Sequence, residues 1–538
     1  MLLYSLNCFI LNSKFFYSST CKVNHNFEIV KHFAIAKKKI LPSHGCLSGK
    51  VQVQQHQTLK FKDMNIFQKQ FIAYILLLST TYLNAQTEIV NQFVQQPNLV
   101  SASIGFLVKE LESGKVIADY QSGICRNPAS VTKLITTASA FEMLSDTFRF
   151  KTYLGYDGSI TDSVLHGDLY IIGGGDPTLE SKHNPLPNNF YINAIESIQK
   201  KGIKEVKGKI IGDATLFAED GAPFLWLVED IGSSYSPTPS ALTAHDNLLQ
   251  FSLISDSSGI NLTSLKPFTA IFQPNIEMSQ TGKEIGWRVT KTDFSWQPSI
   301  RGNLPIGTKR VIKTEIPEPS IFLTDSLQRL MNLVGISVDT TVGSSRQSGK
   351  KFNGEIIYTQ NSAPLHEIAK ITNHQSNNLY AENIFLFLSL QNEKCTIGTN
   401  GNSHIAITNY WKGKGIDTKF LFQVDGSGMS MKNGISPKHI VDILEYMKNK
   451  SSYSKVFIES IPVAGKKGTV ANFMKNTPLS GRAHVKSGSM ERVQNYAGYI
   501  QHKEKWYAFC IMVSNFGGQR ATVIKQISTL LNDIMNSL

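Results

Sequence analysis

Cysteine is scarce in this 538-residue chain: the sequence contains six, and no two of them form a C-x-x-C pair. Three of the six precede residue 85, which leaves Cys125, Cys395 and Cys510 widely spaced over the remainder. Such spacing suits neither a zinc cluster nor a disulfide-stapled scaffold. One disulfide could form among the three, but the spacing favours buried free thiols. We expect no metal and no other cofactor.

Long apolar runs, internal repeats and low-complexity tracts are also missing from the sequence. A helix that spans a membrane permanently needs about twenty consecutive apolar residues, and no such stretch occurs. Hydrophobic residues make up 41% of the chain and charged residues 18%, which is typical of a globular protein. A chain of this length can form two or three domains with substantial cores.

Acidic residues are outnumbered, since 41 Asp and Glu face 54 Lys and Arg, giving a formal charge of +13. Residues 1–85 contain ten of the cations and only two of the acids. Residues 86–538 therefore carry 44 cations and 39 acids. So small a surplus over most of the chain indicates an ordinary solvated surface, and we expect no nucleic-acid partner.

Residues 64–85 are typical of a secretory signal peptide. They read MNIFQKQFIAYILLLSTTYLNA, with a cation at Lys69, an apolar run at Phe71–Leu78 and a small residue at the end. The alternative is a buried core helix. Because an export signal belongs at the start of a chain, we interpret residues 1–63 as a misassigned extension, with translation starting at Met64. The mature protein is then expected in the periplasm, with loose membrane association left open.

After residue 85, Glu88–Gln95 could form a short helix, and a predicted strand pair and an amphipathic helix follow. Ser101–Lys109 and Lys115–Tyr120 read as strands around a turn. Apolar residues then recur at helical spacing from Val131 to Leu144. Between residues 150 and 345, short β-like runs alternate with Gly, Pro, Asn and Asp, which predicts a β-rich region. Those runs are Lys151–Tyr156, Asp168–Ile172, Lys209–Ile211, Leu249–Leu253, Thr269–Phe272 and Trp287–Lys291.

Helices are predicted again from about His366 onwards. Asn378–Leu390 is apolar almost all round and should be a buried helix. Ser436 and Pro437 are typical of the N-cap and first position of another helix. The chain then ends in predicted strands at Val485–Lys486, Gln494–Gln501 and Trp506–Ser514, the last two as a hairpin, and in an amphipathic helix from Val523 to Ile534.

Three short motifs carry the residue types that acyl-group chemistry needs. The first, Ser130-Val131-Thr132-Lys133, is an S-x-x-K sequence at the start of a predicted helix, where residues three apart share a face. Serine is a poor nucleophile at neutral pH and needs a base within hydrogen-bond reach. Lys133 can be that base if burial and neighbouring cations lower its pKa.

The other two motifs supply partners for a substrate. Ser376-Asn377-Asn378 opens the predicted buried helix, where the serine could relay a proton and the asparagine amide could hold a substrate peptide. Lys486-Ser487-Gly488 lies on a predicted strand, where the lysine and the hydroxyl suit a carboxylate and the glycine admits substrate backbone. Each motif alone arises by chance in long chains, but the three in order and in fitting contexts are specific.

In this order the motifs resemble those of the class C low-molecular-mass penicillin-binding proteins, the D-alanyl-D-alanine carboxypeptidase/endopeptidase family. The resemblance covers roughly residues 98–535. Ser130 and Ser376 are 246 positions apart, and the family likewise carries a large module between these motifs. Further matching text lies at Asn127–Leu134, Gly167–Tyr170, Gly173–Pro177, Asp425–Ser430, Ser436–Pro437, Pro462–Gly465 and Gly468–Thr469.

The resemblance implies an α/β fold: a split penicillin-binding transpeptidase/β-lactamase-like domain, with an antiparallel sheet flanked by helices and a large β-rich insertion. The catalytic domain is expected at residues 86–149 and 346–538. The insertion is expected at residues 150–345, as one or two subdomains.

The resemblance also implies the roles of the motif residues. Ser130 would be acylated and Lys133 would activate it. Ser376 and Asn378 would form the second wall of the site, and Lys486 would bind the terminal carboxylate of the substrate. The expected substrates are peptidoglycan stem peptides that end in D-Ala-D-Ala or are cross-linked, and β-lactams are the expected inhibitors. Whether carboxypeptidase or endopeptidase action dominates stays open.

Three residues of the third motif complete the implied site. Ser487 would bind the carboxylate beside the lysine, and Gly488 would let the substrate approach the strand. The backbone N–H groups of Ser489 and Ser130 would form the oxyanion hole. The family usually has threonine at the position of Ser487. Since the hydroxyl is kept and only a methyl group is lost, we expect tuned rather than abolished activity.

Two rival functions share these motifs. A serine β-lactamase has all three, but the large insertion and the G-G-G-D-P and D-G-S-G sequences favour a peptidase. A non-catalytic wall-binding protein could lack Ser130 or Lys133, whereas both are present here.

Several other short patterns are interpreted as structural. Gly173–Gly175 and Gly465–Thr469 lack the full phosphate-binding spacing, so we expect turns. Asp425–Gly428 lacks the further acidic ligands of a calcium site and is expected to be a tight turn. His374 and His484 are assigned no role. Three residues of the insertion could line a substrate groove, although packing is at least as good an explanation: Trp226, Asp230 and Tyr235.

Overall fold

The computed structural model describes residues 85–538, except residue 188 and residues 219–224, 291–296 and 339. The predicted N-terminal extension (1–63) and, apart from Ala85, the predicted signal peptide (64–85) therefore lie outside the described residues. Among the described helices, none combines the length and the apolar character that a membrane span requires. The thiols of Cys125, Cys395 and Cys510 are free.

The first stretch of the described chain folds as its pattern predicts. Residues 85–94 form a helix (α1). Strands β1 (Ser103–Glu110) and β2 (Val116–Tyr120) pair antiparallel. A short 3-10 turn at Ala129–Val131 then leads directly into helix α2 (Thr132–Leu144).

The middle stretch contains most of the strands and two helices that the sequence pattern did not predict. Both helices do follow helical spacing, with Phe190, Ala194 and Ile198 buried on α3. Pro and Gly flank both helices, as they flank the short β-like runs, which is why the sequence pattern predicts a β-rich region. In chain order its elements are β3 (Lys151–Tyr156), β4 (Ser159–Thr161), β5 (Val164–His166), β6 (Leu169–Gly173), α3 (Phe190–Lys200), β7 (Glu205–Val206), β8 (Ile210–Asp213), β9 (Leu248–Asp256), β10 (Gly259–Lys266), β11 (Asn275–Ser279), β12 (Gly286–Thr290), β13 (Ser299–Asn303), β14 (Lys309–Glu315), α4 (Pro319–Leu333), β15 (Ser337–Val338) and β16 (Gly343–Ser344).

One strand predicted in this stretch is wrong. Thr269–Phe272 forms bends rather than a strand. The hydroxyl of Thr269 accepts hydrogen bonds from the backbone N–H groups of Ile271 (3.1 Å) and Phe272 (3.4 Å). A side chain thus takes the place of a neighbouring strand. Phe272 is fully buried, so an apolar residue that anchors a loop carries the same sequence signal as a strand.

The last stretch confirms the predicted buried helix, the predicted helix start and the terminal hairpin. Ser436 caps its helix by accepting a hydrogen bond from the N–H of His439, with Pro437 in the first turn. The elements are α5 (Ser345–Ser348), β17 (Glu355–Asn361), α6 (Leu365–His374), α7 (Asn378–Leu388), α8 (Asn400–Gly413), α9 (Pro437–Asn449), α10 (Ser454–Glu459), β18 (Ala483–Met490), β19 (Val493–His502), β20 (Lys505–Ser514) and α11 (Arg520–Asn536).

A five-stranded antiparallel sheet unites the two ends of the chain in the order β18-β19-β20-β1-β2. Helices cover both of its faces. Leu107 packs on one side with residues of α2, α7 and α9, whereas Phe106 and Val108 pack on the other with residues of α1 and α11. Burial on both faces explains why β20 is apolar along nearly its whole length. The site described below lies along β18, at one edge of this sheet.

The middle stretch forms its own sheets. A five-stranded sheet has the order β16-β8-β6-β3-β17, and a four-stranded sheet has the order β15-β7-β5-β4. The two share a core with α3 and α4. Two three-stranded sheets, β10-β9-β14 and β11-β13-β12, enclose a further core. Strand β17 lies beyond residue 345 and pairs with β3, so the chain completes this region before it returns to the central sheet.

Candidate active site

Ser130 lies in the 3-10 turn that precedes α2. The residue before it, Ala129, has a left-handed backbone with φ of 46°, a conformation that a non-glycine residue adopts only when its surroundings hold it. The side chain of Asn495 on β19 supplies part of that hold, because its amide donates to the carbonyls of Asn127 (3.0 Å) and Pro128 (2.9 Å). The turn is thereby fastened to the central sheet.

Lys133 lies one turn along, fully buried, with Nζ 3.0 Å from Oγ of Ser130. The same Nζ donates to Oδ1 of Asn378 (2.6 Å) and to the carbonyl of Ser427 (2.8 Å). Both of these oxygens can only accept hydrogen bonds. A neutral lysine amine has two hydrogens and one electron pair, so once both hydrogens are used the electron pair faces the Ser130 hydroxyl.

The amide of Asn378 is oriented by a second contact. Its Nδ2 donates to the backbone carbonyl of Tyr235 at 2.7 Å. Because that carbonyl needs a donor, the NH₂ group must face Tyr235 and the amide oxygen must face Lys133. The inserted region, to which Tyr235 belongs, therefore helps to set the direction of the Lys133 electron pair.

Burial lowers the pKa of Lys133 to about 7, although the carboxyl groups of Glu382 and Asp425 act in the opposite direction. A lysine with its ordinary pKa would be protonated at neutral pH and could not accept a proton. With the lowered pKa a large fraction of Lys133 is neutral near pH 7. The side chain is thus suited to take a proton from Ser130.

The S-x-N motif lies at the start of α7, where Asn378 contacts Lys133. Ser376 has a left-handed backbone with φ of 54°, and the side chain of Asn377 caps α7 by accepting a hydrogen bond from the N–H of Tyr380 (3.1 Å). The cap fixes the start of the helix next to Ser376. The motif therefore presents Ser376 and Asn378 to the site and uses its middle residue for local structure.

Lys486 on β18 links the second and third motifs. It is fully buried, and its Nζ donates to Oγ of Ser376 (2.9 Å) and to the carbonyl of Ser487 (2.7 Å). Burial and the nearby cation Lys133 lower its pKa well below the ordinary value. Because Lys486 donates to the Ser376 oxygen, the Ser376 hydroxyl hydrogen is left to donate elsewhere.

The remaining residues of the third motif lie on β18, beside the Ser130 turn. Oγ of Ser487 lies 2.8 Å from Oγ1 of Thr469. A Cβ added to Gly488 would lie 2.8 Å from the carbonyl of Pro128 and 3.0 Å from the N–H nitrogen of Ser130. Only glycine lets the strand come this close. The hydroxyl of Ser489 donates to Gln494 at 2.9 Å, which leaves its backbone as the part that can serve the site.

The structure therefore brings the five residues into two hydrogen-bonded groups: Lys133 links Ser130 and Asn378, and Lys486 links Ser376 to the third motif. The two lysines are near enough for the charge of Lys133 to lower the pKa of Lys486. Of the insertion residues, Trp226 is buried and donates to Asp425 (3.2 Å), while the hydroxyl of Tyr235 donates to Asp230 (2.7 Å). Burial lowers the pKa of both His374 and His484. Neither histidine takes part in the contacts of Lys133 and Lys486 described above.

Several groups at the site are not among the residues that the three motifs assign to it. Asn495 contacts two backbone carbonyls of the segment before Ser130. Thr469 reaches Ser487, and the carbonyl of Ser427 reaches Lys133, only because the chain folds back. The Asp425–Gly428 turn was predicted as a turn, but nothing in its sequence indicated that a carbonyl from it would contact the lysine. No cluster of His, Cys, Asp and Glu suited to a metal ion occurs among the described residues.

The chain is similar in sequence to known proteins over most of its length. The profile of the D-Ala-D-Ala carboxypeptidase 3 (S13) family matches residues 86–534. A D-alanyl-D-alanine carboxypeptidase of Actinomadura sp. (strain R39) is 26% identical over 453 residues, which cover 80% of this chain and 81% of that protein. The D-alanyl-D-alanine carboxypeptidase DacB of Haemophilus influenzae is 24% identical over 74% of this chain and 82% of its own length.

The fold is also similar to a solved structure. Penicillin-binding protein 4 (dacB) from Haemophilus influenzae superimposes with a TM-score of 0.73 at 21% identity, covering 83% of this chain and 99% of that one. A second structure of that protein, with a TM-score of 0.69, is a complex with a β-lactam. The likeness confirms the predicted α/β fold with a split transpeptidase-like domain.

Proposed function

The chain belongs to the D-Ala-D-Ala carboxypeptidase 3 (S13) family, and we propose that Ser130 is the nucleophile with which this serine peptidase cleaves D-Ala-D-Ala peptides of the bacterial cell wall. One observation carries the proposal: the buried Lys133 is within hydrogen-bond distance of Ser130 and has its two amine hydrogens committed to carbonyl oxygens. A serine that faces the electron pair of a largely neutral lysine is an activated nucleophile.

Acylation begins with attack of Ser130 Oγ on the carbonyl carbon between the two D-alanines. Lys133 takes the hydroxyl proton as the C–O bond forms. The backbone N–H groups of Ser130 and Ser489 receive the oxyanion of the tetrahedral intermediate, a type of contact that is worth about 10²–10³ in rate. The approach of Gly488 to the Ser130 nitrogen supports this placement.

Collapse of the intermediate breaks the C–N bond, and the leaving nitrogen needs a proton. Ser376 is suited to deliver it, since its oxygen accepts from Lys486 and its own hydrogen is left for the nitrogen. The proton that Lys133 took from Ser130 can then replace it, which leaves the number of protons in the site unchanged. The product is an ester on Ser130. Water attacks that ester, with Lys133 as the base once more, and restores the free hydroxyl.

The terminal carboxylate of the substrate belongs beside Lys486 and Ser487. A carboxylate there would raise the lowered pKa of Lys486 and so restore a full positive charge opposite it. The Ser487 hydroxyl is held by Thr469. This contact supplies part of the rigidity that the extra methyl group of a threonine would give, so Ser487 is compatible with activity. A β-lactam carries a similar carboxylate and would acylate Ser130 in the same way.

Purified muropeptides provide the direct test of this function. The protein should release D-alanine from stem pentapeptides and should cleave D-Ala cross-links, both visible as mass changes in the products. Added chelator should leave the rates unchanged, because the proposed chemistry uses only side chains and backbone. Products that retain both D-alanines and all cross-links would contradict the assignment. The ratio of the two activities tells which one dominates.

We propose further that the protein is exported. The support is the order of cation, apolar run and small residue in residues 64–85. Expression in a Gram-negative host should give a periplasmic protein whose N-terminal sequence begins near Gln86. A cytoplasmic product that still begins with residues 1–63 would contradict both the signal peptide and the start at Met64. Washing the membranes with salt would reveal any loose association.

A further inference from the structure

Two buried carboxyl groups lie beneath the Asp425–Gly428 turn. Glu382, on α7, is fully buried, and its two oxygens accept hydrogen bonds from the backbone N–H groups of Ser427 (2.8 Å) and Gly426 (3.1 Å). Four donors converge on the second carboxyl group, that of Asp425. They are the N–H of Gly428 (2.8 Å), the N–H of Ser430 (2.6 Å), the side chain of Asn433 (2.8 Å) and the side chain of Trp226 (3.2 Å).

These bonds decide where the carbonyls of the turn point. In a trans peptide the N–H and the C=O point in opposite directions. The N–H of Ser427 faces Glu382, so the carbonyl of Gly426 faces away and accepts from Thr136 (2.7 Å). In the next peptide the N–H of Gly428 faces Asp425, and the carbonyl of Ser427 accordingly faces Lys133.

The turn has no room to relax into another conformation. Gly428 has φ of 85°, and a Cβ there would overlap the carbonyl of Ala129, the residue before Ser130. A Cβ on Gly426 would overlap the carbonyl of Ala381 on α7. The turn is thus pressed between α7 and the Ser130 turn. A shift of the Glu382 or Asp425 carboxyl group would therefore move the Ser427 carbonyl, which accepts the hydrogen bond from Lys133.

We propose that Glu382 is a positioning residue for the reaction: together with Asp425 it aims the Ser427 carbonyl at Lys133 and so directs the electron pair of the lysine at Ser130. The inference rests on the proposed function, since it assumes that Lys133 is the base. Glu382 itself touches neither the substrate nor Ser130 in this role. It acts through the turn and, where its carboxyl group is ionised, through its charge.

The charged groups around Lys133 come from three elements. Glu382 lies on α7, Asp425 lies in the turn, and Lys486 lies on β18. Both carboxyl groups raise the pKa of Lys133, whereas burial lowers it. Burial and the neighbouring Asp425 in turn raise the pKa of Glu382. Because Glu382 acts on the pKa of Lys133 in this way, removal of the Glu382 carboxyl group changes the pH dependence of Lys133.

The test is the second-order rate constant for acylation by a fluorescent penicillin, measured across pH for Glu382→Gln. The glutamine keeps one acceptor and turns an NH₂ group toward a backbone N–H. We expect at least a tenfold lower rate. The midpoint of the pH profile should also move below the wild-type value of about 7, because the variant lacks the charge and the well-aimed carbonyl that favour the ammonium form.

Asp213→Asn is the matched control, since Asp213, at the end of β8, is buried and likewise accepts a backbone N–H, that of Thr215 (2.9 Å). It should leave the rate and the midpoint unchanged. A Glu382→Gln protein with a wild-type rate, or one that loses only thermal stability while its midpoint stays in place, would overturn the proposal.

A second variant keeps the proposal testable if Glu382→Gln does not fold. Glu382→Asp keeps an ionisable carboxyl group, but its shorter side chain cannot reach both N–H groups, so we expect a lower rate and a smaller shift of the midpoint than in Glu382→Gln. A wild-type rate in this variant would also overturn the positioning role. If wild-type protein is not acylated at all, the proposed function fails instead, and the two failures are distinguishable.

Discussion

Ser130→Ala should abolish covalent labelling by a fluorescent penicillin and should lower D-alanine release by at least about 10³-fold. The hydroxyl oxygen is the atom that forms the acyl bond, and neither of the other two groups described as hydrogen-bonded to Lys133 can replace it. Asn378 and Ser427 face the lysine with carbonyl oxygens, which are not nucleophiles. In-gel fluorescence together with mass spectrometry of the intact protein measures the adduct directly.

The same experiment separates the rival functions. Ser528→Ala, on the distant terminal helix α11, is the control and should label like wild type. A long-lived adduct on the wild-type protein is the outcome expected of a peptidase. Rapid turnover of the penicillin would favour a β-lactamase, and a wild-type protein that never labels would favour a non-catalytic wall-binding protein. An adduct that survives Ser130→Ala would contradict the assigned nucleophile.

Lys133→Ala should lower the acylation rate by about 10²–10⁴-fold, the range that a positioned general base contributes. It should also change the pH profile. The ammonium form of Lys133 cannot take a proton, and the neutral form appears as the pH rises through its pKa of about 7. The wild-type rate should therefore rise through pH 7 and level off above it, whereas the variant should lack that step.

Lys133→Arg gives a sharper version of this test. Arginine keeps the positive charge but does not deprotonate in proteins, so it should be as inactive as alanine. Lys438→Ala, which breaks an exposed pair with Asp442, is the control and should behave like wild type. A thermal melt shows whether each variant is folded. If Lys133→Ala retained the rise through pH 7, another group would have to be the base.

The pattern of apolar residues was sufficient for much of the fold. It predicted the helix after Ser130, the buried helix at Asn378 and the terminal hairpin, because each has a long stretch with one clear periodicity. It failed at Thr269–Phe272, where a threonine side chain satisfies the backbone of a loop around one buried phenylalanine. It also missed α3 and α4, although both have continuous helical spacing, because Pro and Gly flank them as they flank the short strands of this region.

The residues of the site also divide into those that the sequence predicts and those that it does not. Ser130 and Lys133 are three residues apart on one helical turn, so local geometry alone predicts their contact. Asn495, Thr469 and Glu382 belong to no such local pattern. Each contacts a residue that is not its neighbour along the chain. The groups that Glu382 binds are backbone N–H groups, which every residue except proline has, so they leave no signal in the sequence.

The sequence by itself determined which chemistry is available: three motifs, in order, that hold a hydroxyl, two lysines and an amide. Only the tertiary structure decided that Lys133 has the pKa and the orientation that a base for Ser130 needs. Burial lowers the pKa of Lys133, and two oxygen atoms set the direction of its electron pair. One is the amide oxygen of Asn378, whose NH₂ group donates to Tyr235 of the insertion, and the other is the backbone carbonyl of Ser427. Desolvation and hydrogen-bond direction are properties of the space around an atom, and that space is built from segments that lie hundreds of residues apart.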